Sequence, residues 1–201
     1  MKKSLIALAV LGLSGAAMAQ SSVTLYGVAD AGIAKIKSGG SDSSNKTEFS
    51  SHSTMNNGNS RVGLRGVEDL GGGLKAGFQF ETGIDLDNGA ADGTFWARQA
   101  NVWLGGNWGT LKLGRQFTPS YLATSAYELT GTANYSALTN TYNVAGIGFR
   151  ANSAFAYVTP DMGGFSAAVA YVTKTDLGAS KAAYDLGLMY NNGPIAVGAS
   201  V

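Results

Sequence analysis

The chain of 201 residues has no cysteine, only 3 prolines and a single histidine, His52. Without cysteine, no disulfide can stabilise the fold, so stability must come from a large packed or hydrogen-bonded framework. Zinc sites and histidine-dependent catalytic triads have only His52 to use, and neither a Gly-x-Ser-x-Gly nucleophile turn nor a phosphate-binding Walker loop is present. These absences argue against an enzyme, a metal site and a bound cofactor.

Long apolar runs are also missing, apart from a short one at the N-terminus. Lys2 and Lys3 precede the apolar residues 5–13, and small residues stand at Ala17 and Ala19, the pattern of a secretory signal peptide. We predict a signal peptide over residues 1–19, with cleavage between Ala19 and Gln20. A membrane anchor is the alternative, but a spanning helix needs roughly 20 consecutive apolar residues.

The mature chain, residues 20–201, has almost no net charge. Loss of Lys2 and Lys3 reduces the basic residues from 14 to 12, against 13 acidic residues. Nucleic-acid binding requires a basic surface. We therefore expect no nucleic-acid partner.

What the sequence does contain is glycine, at 29 residues, and a hydrophobic pattern of period two. In residues 74–82, Ala76, Phe78 and Phe80 alternate with polar residues that include Gln79 and Glu81. The same alternation extends over residues 23–33 and 60–67, and it returns in pairs of segments after residue 95. Period two is typical of β-strands with one apolar and one polar face, joined here by glycine-rich turns.

About nine strands are predicted, with connections that alternate between short and long. The short turns include residues 68–73 and 106–109, whereas the long loops span residues 37–59, 83–94, 118–149 and 174–183. Outer-membrane β-barrels combine alternating strands with short turns on one side and long loops on the other. The pattern thus predicts an all-β, antiparallel transmembrane barrel protein that contacts outer-membrane lipid.

Several stretches resemble the general trimeric porins of Gram-negative bacteria, in the form typical of betaproteobacteria. They include SSVTLYGVADAGI, SRVGLRGVEDLGGGLKAGFQFETG, ARQANVWLGGNWGTLKLGRQFTPSY and RANSAFAYVTPDMGGFSAAVAYV. The resemblance implies a 16-stranded barrel in the outer membrane, assembled as a homotrimer. It also implies a water-filled channel for passive diffusion of small hydrophilic solutes and ions, narrowed by residues 118–149 folding inward as a constriction loop.

Sixteen strands require on the order of 320 residues, whereas this chain supplies about nine strands and stops at Val201. We therefore expect residues 20–201 to be the N-terminal part of a longer barrel. Taken alone, they should form an open, curved sheet. A closed barrel would contradict this expectation.

The candidate pore residues are the charged side chains on the polar parity of the strands. Alternation places Arg61 and Arg65 opposite apolar residues, and the resemblance matches Arg61, Arg98 and Arg150 to the basic wall of the constriction. Arg98 shares its parity with apolar residues, so an inward position requires a bulge or a strand that begins after it.

The acidic side of the predicted pore consists of Glu128, Glu81 and Asp30. Glu128 is the only acidic residue in residues 118–149. Because arginines outnumber these carboxylates, and charged rings favour ions of opposite sign, we expect a preference for anions. The alternative role for the arginines is simple solvation of the wall.

Two other kinds of protein stay open at this point. A non-channel outer-membrane barrel, such as an adhesin or a small structural barrel, would fill its interior with side chains. An outer-membrane enzyme would need a nucleophile and a base, which the sequence does not offer. The long loop and the repeated charges on the inner face favour the channel.

Overall fold

The computed structural model describes residues 22–36, 46–53, 55–136, 148–174 and 181–201. The predicted signal peptide with its cleavage site at Ala19 and Gln20 lies outside the described residues, as do residues 137–147 of the predicted constriction loop. No helix in the described ranges is long and apolar enough to cross a membrane.

The described residues form strands and one short helix. The strands are β1 (Ser22–Val28), β2 (Gly32–Ile36), β3 (Lys46–Ser50), β4 (Arg61–Gly71), β5 (Leu74–Ile84), β6 (Ala91–Asp92), β7 (Gln99–Gly106), β8 (Gly109–Phe117), β9 (Arg150–Val158), β10 (Phe165–Val172), β11 (Ala183–Asn192) and β12 (Ile195–Ser200). The helix α1 (Pro119–Ser125) follows β8 directly.

The main sheet is antiparallel, and neighbouring strands follow the chain. Its order is β1-β4-β5-β7-β8-β9-β10-β11-β12, and the two-residue β6 pairs with β5. In this part of the chain, β1 and β12 form the two edges and do not pair with each other. The prediction of an all-β, antiparallel and open sheet of about nine strands is confirmed.

The alternation of the sequence becomes two chemically different faces. One face is apolar and exposed; Val23 and Leu25 on β1 are 68% and 69% exposed, and Val102 on β7 is 50% exposed. A face of this kind is costly in water and suits the hydrocarbon of a bilayer. We refer to it as the outer face.

The opposite, inner face carries polar and small residues. Gln79 and Glu81 of β5 align with Asn101 and Gln99 of β7. Further along the sheet, small residues such as Ala168 and Ala170 of β10 occupy the same face and are buried. They are buried because α1 packs over β10, β11 and β12.

The turn between β4 and β5 shows why glycine is frequent. Gly71, Gly72 and Gly73 have φ angles of 83°, 60° and 83°, a region that other residues enter only with strain. The chain thus reverses within a few residues, and the hairpin predicted for this segment forms.

One predicted strand was wrong in extent. The alternation over residues 23–33 suggested a continuous strand, but the structure divides it into β1 and β2. Strand β2 leaves the main sheet and pairs with β3, which lies in the segment predicted to be a polar loop. The alternation of apolar and polar residues continues across the break because it depends only on which face each side chain points to. It carries no information on the partner strand.

Candidate functional site: a loop-crossed polar cavity

The connection between β8 and β9 lies against the inner face. Strand β8 ends at Phe117 and β9 begins at Arg150, so the connection spans residues 118–149. Thr118 is the N-cap of α1; its hydroxyl accepts a hydrogen bond from the backbone N–H of Tyr121 at 3.4 Å, and Pro119 occupies the first turn. Both are favoured helix-start residues, and they begin the helix immediately after the strand.

The far part of this connection reaches the opposite side of the sheet. The Asn134 side chain donates to Asn59 Oδ1 at 2.6 Å and to the carbonyl of Ser53 at 3.0 Å. Tyr135 adds a hydrogen bond from its hydroxyl to Asn57 Oδ1 at 3.1 Å. The partners precede β4, whereas α1 packs on β11, and five strands (β5, β7, β8, β9 and β10) separate β4 from β11 in the sheet. The loop therefore crosses the inner side of the curved sheet.

A cavity of about 530 Å³ remains between this loop and the wall. The loop contributes Tyr121, Gly131, Thr132, Asn134 and Phe149. The charged residues that line the cavity are Asp30, Arg61, Glu81, Arg98 and Arg150. Three cationic and two anionic side chains thus face the same space.

Glu81 is the centre of the charged wall. One of its carboxylate oxygens accepts from Arg98 Nε at 2.7 Å, and the other accepts from the Tyr26 hydroxyl at 2.9 Å. Arg61 Nε lies 3.9 Å from the second oxygen. Only 6% of Glu81 is exposed, so water screens its charge little. The two nearby arginines offset most of that charge.

Arg98 reaches this position because it precedes its strand. Strand β7 begins at Gln99, so the parity of β7 does not apply to Arg98. A turn that includes Trp96, with a φ of 58°, leads into it, and the Arg98 backbone N–H donates to the carbonyl of Glu81 at 3.1 Å. The Arg98 side chain therefore lies on the inner side.

Arg150 faces the cavity without a carboxylate partner among the described residues. Its guanidinium lies 4.2 Å from the centre of the Phe117 ring, and its Nε is buried with no hydrogen-bond partner in the part of the chain that the structure describes. The ion pairs found in the described residues do not include Arg150. Its position could not follow from parity, because β8 and β9 shift register between Gly114 and Gln116 and Ser153 has a φ of 41°.

Arg65 lies on the inner face but outside the part of the cavity lining that the structure describes. Its guanidinium is 5.3 Å from the centre of the Tyr26 ring. It is four residues further along β4 than Arg61, which places it nearer to the short turn. The structure thus separates Arg65 from the three arginines that meet at the loop.

The other two acidic candidates shape loops. Glu128 accepts hydrogen bonds from the Thr130 hydroxyl at 2.7 Å, from the Thr132 N–H at 2.7 Å and from the Ser136 hydroxyl at 2.9 Å. These bonds, that of Thr130 foremost, lower the pKa of the Glu128 carboxyl. Both oxygens thus order the loop itself, and Glu128 is not among the described residues that line the cavity, so its role as a pore charge stays a prediction.

Asp30 lines the cavity and also holds the segment before β4. Its carboxylate accepts from the Asn56 side chain at 3.0 Å and from the Gly58 N–H at 2.8 Å. These hydrogen bonds, with the Asn56 bond the stronger influence, lower the pKa of Asp30. Asp30 thus remains an anion over the ordinary pH range.

Sequence reasoning missed the contacts of two charged residues, Asp185 and Arg115. Asp185 of β11 is buried and binds Ser120 of α1. Arg115 donates through Nε to the carbonyl of Ala97 and through a terminal nitrogen to Asn152 Oδ1 at 2.5 Å. The parity of Asp185, opposite the apolar neighbours on either side, would have identified it as inward. No sequence signal marks Arg115, which lies at the register shift.

His52 pairs with Asp85, with 2.8 Å between Nδ1 and a carboxylate oxygen, and links two long connections. Within the described ranges, no group of three or more potential metal ligands occurs.

The sheet is antiparallel, its outer face is apolar and exposed, and a long loop crosses its polar inner face. These features are those of the outer-membrane β-barrel proteins. Residues 4–201 match the Gram-negative porin family, and the chain belongs to this family.

Two curated proteins illustrate the relationship. Outer membrane porin protein 32 of Delftia acidovorans is 44% identical over 208 residues, which cover 98% of this chain and 58% of that protein. The major outer membrane protein P.IB of Neisseria gonorrhoeae is 33% identical over 195 residues, covering 96% and 54%. These names confirm the predicted location in the outer membrane.

Among solved structures, the anion-selective porin from Comamonas acidovorans superposes with a TM-score of 0.75 at 32% sequence identity. The match covers 90% of this chain and 57% of that porin. The chain thus spans somewhat more than half the length of the relatives described here.

Proposed function

We propose that the protein forms a water-filled channel in the outer membrane, through which small hydrophilic solutes and ions diffuse passively, and that this channel prefers anions. The observation that carries the proposal is the cavity between loop and wall. A loop attached to strands on both sides of the sheet leaves a limited space, and arginines dominate the charge that faces it. Such an arrangement selects solutes by size and by sign and requires no chemical reaction.

The balance of charge supports a preference for anions. The Glu81 carboxylate lies 2.7 Å from Arg98 Nε and 3.9 Å from Arg61 Nε. Asp30 is held by Asn56 and Gly58. Arg150 then contributes a positive charge that none of the ion pairs between described residues offsets. The relative described as an anion-selective porin has the same fold.

The outer face is the proposed contact with lipid and with neighbouring subunits. Residues such as Leu25, Val102 and Leu113 are exposed on it. We expect a homotrimer, as the family resemblance implies. Cross-linking of the protein in its native membrane would test this assembly state.

The proposed function predicts the sign of a zero-current potential. The protein would be inserted into planar lipid bilayers that separate two KCl solutions of different concentration. An anion-preferring channel gives a reversal potential shifted towards the chloride equilibrium potential. A shift towards the potassium potential would overturn the anion preference, and a folded, membrane-inserted protein without conductance would favour the adhesin or structural barrel instead.

A further inference from the structure

Asp185 binds the first turn of α1 through both of its carboxylate oxygens. The backbone N–H of Ser120 donates to Oδ1 at 2.6 Å, and the Ser120 hydroxyl donates to Oδ2 at 2.5 Å. Asp185 is only 3% exposed and Ser120 only 2%. None of the ion pairs in the described part of the chain involves Asp185. A carboxylate buried without a cation is unfavourable unless its hydrogen bonds compensate.

These bonds complete the start of the helix. The first N–H groups of an α-helix have no partner within the helix. The Thr118 hydroxyl accepts from Tyr121 N–H at 3.4 Å, and Asp185 accepts from Ser120 N–H. One of the partners that α1 needs therefore comes from β11, at a sequence separation of 65 residues.

The other contacts between α1 and the wall restrain the orientation of the helix less than Asp185 does. Gly187 and Gly198 lack side chains where the helix backbone approaches, which permits close packing but does not orient the helix. After the helix, the Tyr127 hydroxyl donates to the carbonyl of Tyr190 at 3.1 Å in an exposed position. Asp185 provides the buried, two-point hydrogen bond at the base of the loop.

We infer that Asp185 is a positioning residue that fixes the base of the constriction loop to β11 and thereby sets the free cross-section beside the arginines. This inference rests on the proposed channel function. The far end of the constriction loop is held independently, by the hydrogen bond from Asn134 to Asn59. If the Asp185 link is removed, the described contacts that still hold the loop are the distal hydrogen bonds of Asn134 and Tyr135, the packing of α1 on the two glycines and the exposed Tyr127 bond. The helix should then fluctuate relative to the wall.

Two substitutions separate the hydrogen bonds of Asp185 from its charge. Asp185→Ala removes both acceptors, whereas Asp185→Asn removes the charge but keeps an oxygen for Ser120 N–H and an amide that can donate to the Ser120 hydroxyl. In single-channel recordings, we expect Asp185→Ala to increase open-channel current noise several-fold and Asp185→Asn to stay close to the unmodified protein. Asp161→Ala is the control, because it removes an exposed carboxylate from the turn between β9 and β10. It should leave the current noise unchanged.

Amide hydrogen exchange of the detergent-folded protein gives a readout that is independent of conductance. We expect residues 120–125 to exchange about tenfold faster in Asp185→Ala and not in Asp185→Asn. If Asp185→Ala fails to fold, as judged by circular dichroism, Ser120→Ala takes its place. It removes the hydroxyl bond alone and should produce the same changes to a smaller degree.

Unchanged noise and unchanged exchange in a folded Asp185→Ala variant, or an Asp185→Asn variant as disturbed as Asp185→Ala, would overturn the inference. A protein that does not conduct in any form, but whose helix still exchanges faster in Asp185→Ala, would refute the channel and retain the anchor.

Discussion

Replacing Arg150 by glutamine should reduce the anion preference of the proposed channel. The Arg150 guanidinium faces the cavity above the Phe117 ring, and the described ion pairs do not neutralise it. Arg98, in contrast, lies 2.7 Å from Glu81. Removing Arg150 therefore removes a charge that acts on passing ions and leaves no carboxylate behind without its partner.

The size of this effect follows from the cavity. A sphere of the observed 530 Å³ has a radius of about 5 Å, so an ion at its centre passes about 5 Å from the guanidinium. Coulomb's law in water gives about 0.8 kcal/mol at that distance, and screening at 0.1 M salt reduces it to about 0.5 kcal/mol. An anion then loses a factor of about 2.3 in local concentration and a cation gains the same factor. The ratio of anion to cation permeability should therefore fall about fivefold, which is the product of the two factors.

Reversal potentials of planar bilayers measure this ratio directly. Lys75→Gln removes the same charge near the short turn at the other end of the inner face, and its effect should be much smaller. At 1 M salt, where the screening length is about 3 Å, the difference in permeability ratio between Arg150→Gln and the unmodified channel should shrink to about 1.7-fold. An unchanged ratio in Arg150→Gln at 0.1 M, or an equal change in Lys75→Gln, would refute the assignment of Arg150 to the constriction.

Three further outcomes are expected. Glu81→Ala leaves the half-buried Arg98 without its carboxylate and should lower the free energy of unfolding by about 2 kcal/mol, measured by denaturant titration in detergent. Unchanged stability would contradict the central role of Glu81. Gly187→Ala adds a methyl group where the α1 backbone approaches and should lower the melting temperature. Gly32→Ala is the control and should not lower it, because the added atom would lie no nearer than 3.9 Å to its neighbours. Equal melting temperatures of the two variants would contradict the close packing. Because hydrogen bonds hold the folded pKa of Glu128 below its ordinary value, its stabilisation of the loop is fully present above that ordinary value and is lost as the pH falls through the lower, folded pKa. Current noise should rise there, and a Glu128→Gln channel with the same pH dependence would contradict this.

The hairpins and the two faces could be predicted because they depend on residues close in sequence. Phe78 and Phe80 on one parity, with Gln79 and Glu81 on the other, require only that the segment be extended. The division of the first predicted strand into β1 and β2 could not be predicted in this way, since the partner of each half lies far along the chain.

The arginines show the same limit at the site. Alternation placed Arg61 correctly on the inner face, where β4 is regular. It pointed Arg98 outward unless the strand begins after that residue, and β7 does begin after it, at Gln99. It gives no sound guide to Arg150, because β9 is irregular at Ser153. Parity is defined only along an unbroken strand.

The sequence by itself determined the kind of protein: an exported chain of alternating strands with a polar and an apolar face, related to the porins. Only the tertiary structure decided which polar groups meet. Ser120 and Asp185 are 65 residues apart, and Asn134 and Asn59 are 75 residues apart. Their contacts depend on the curvature of the sheet and on the path of the loop across it, and both arise from the packing of all strands together.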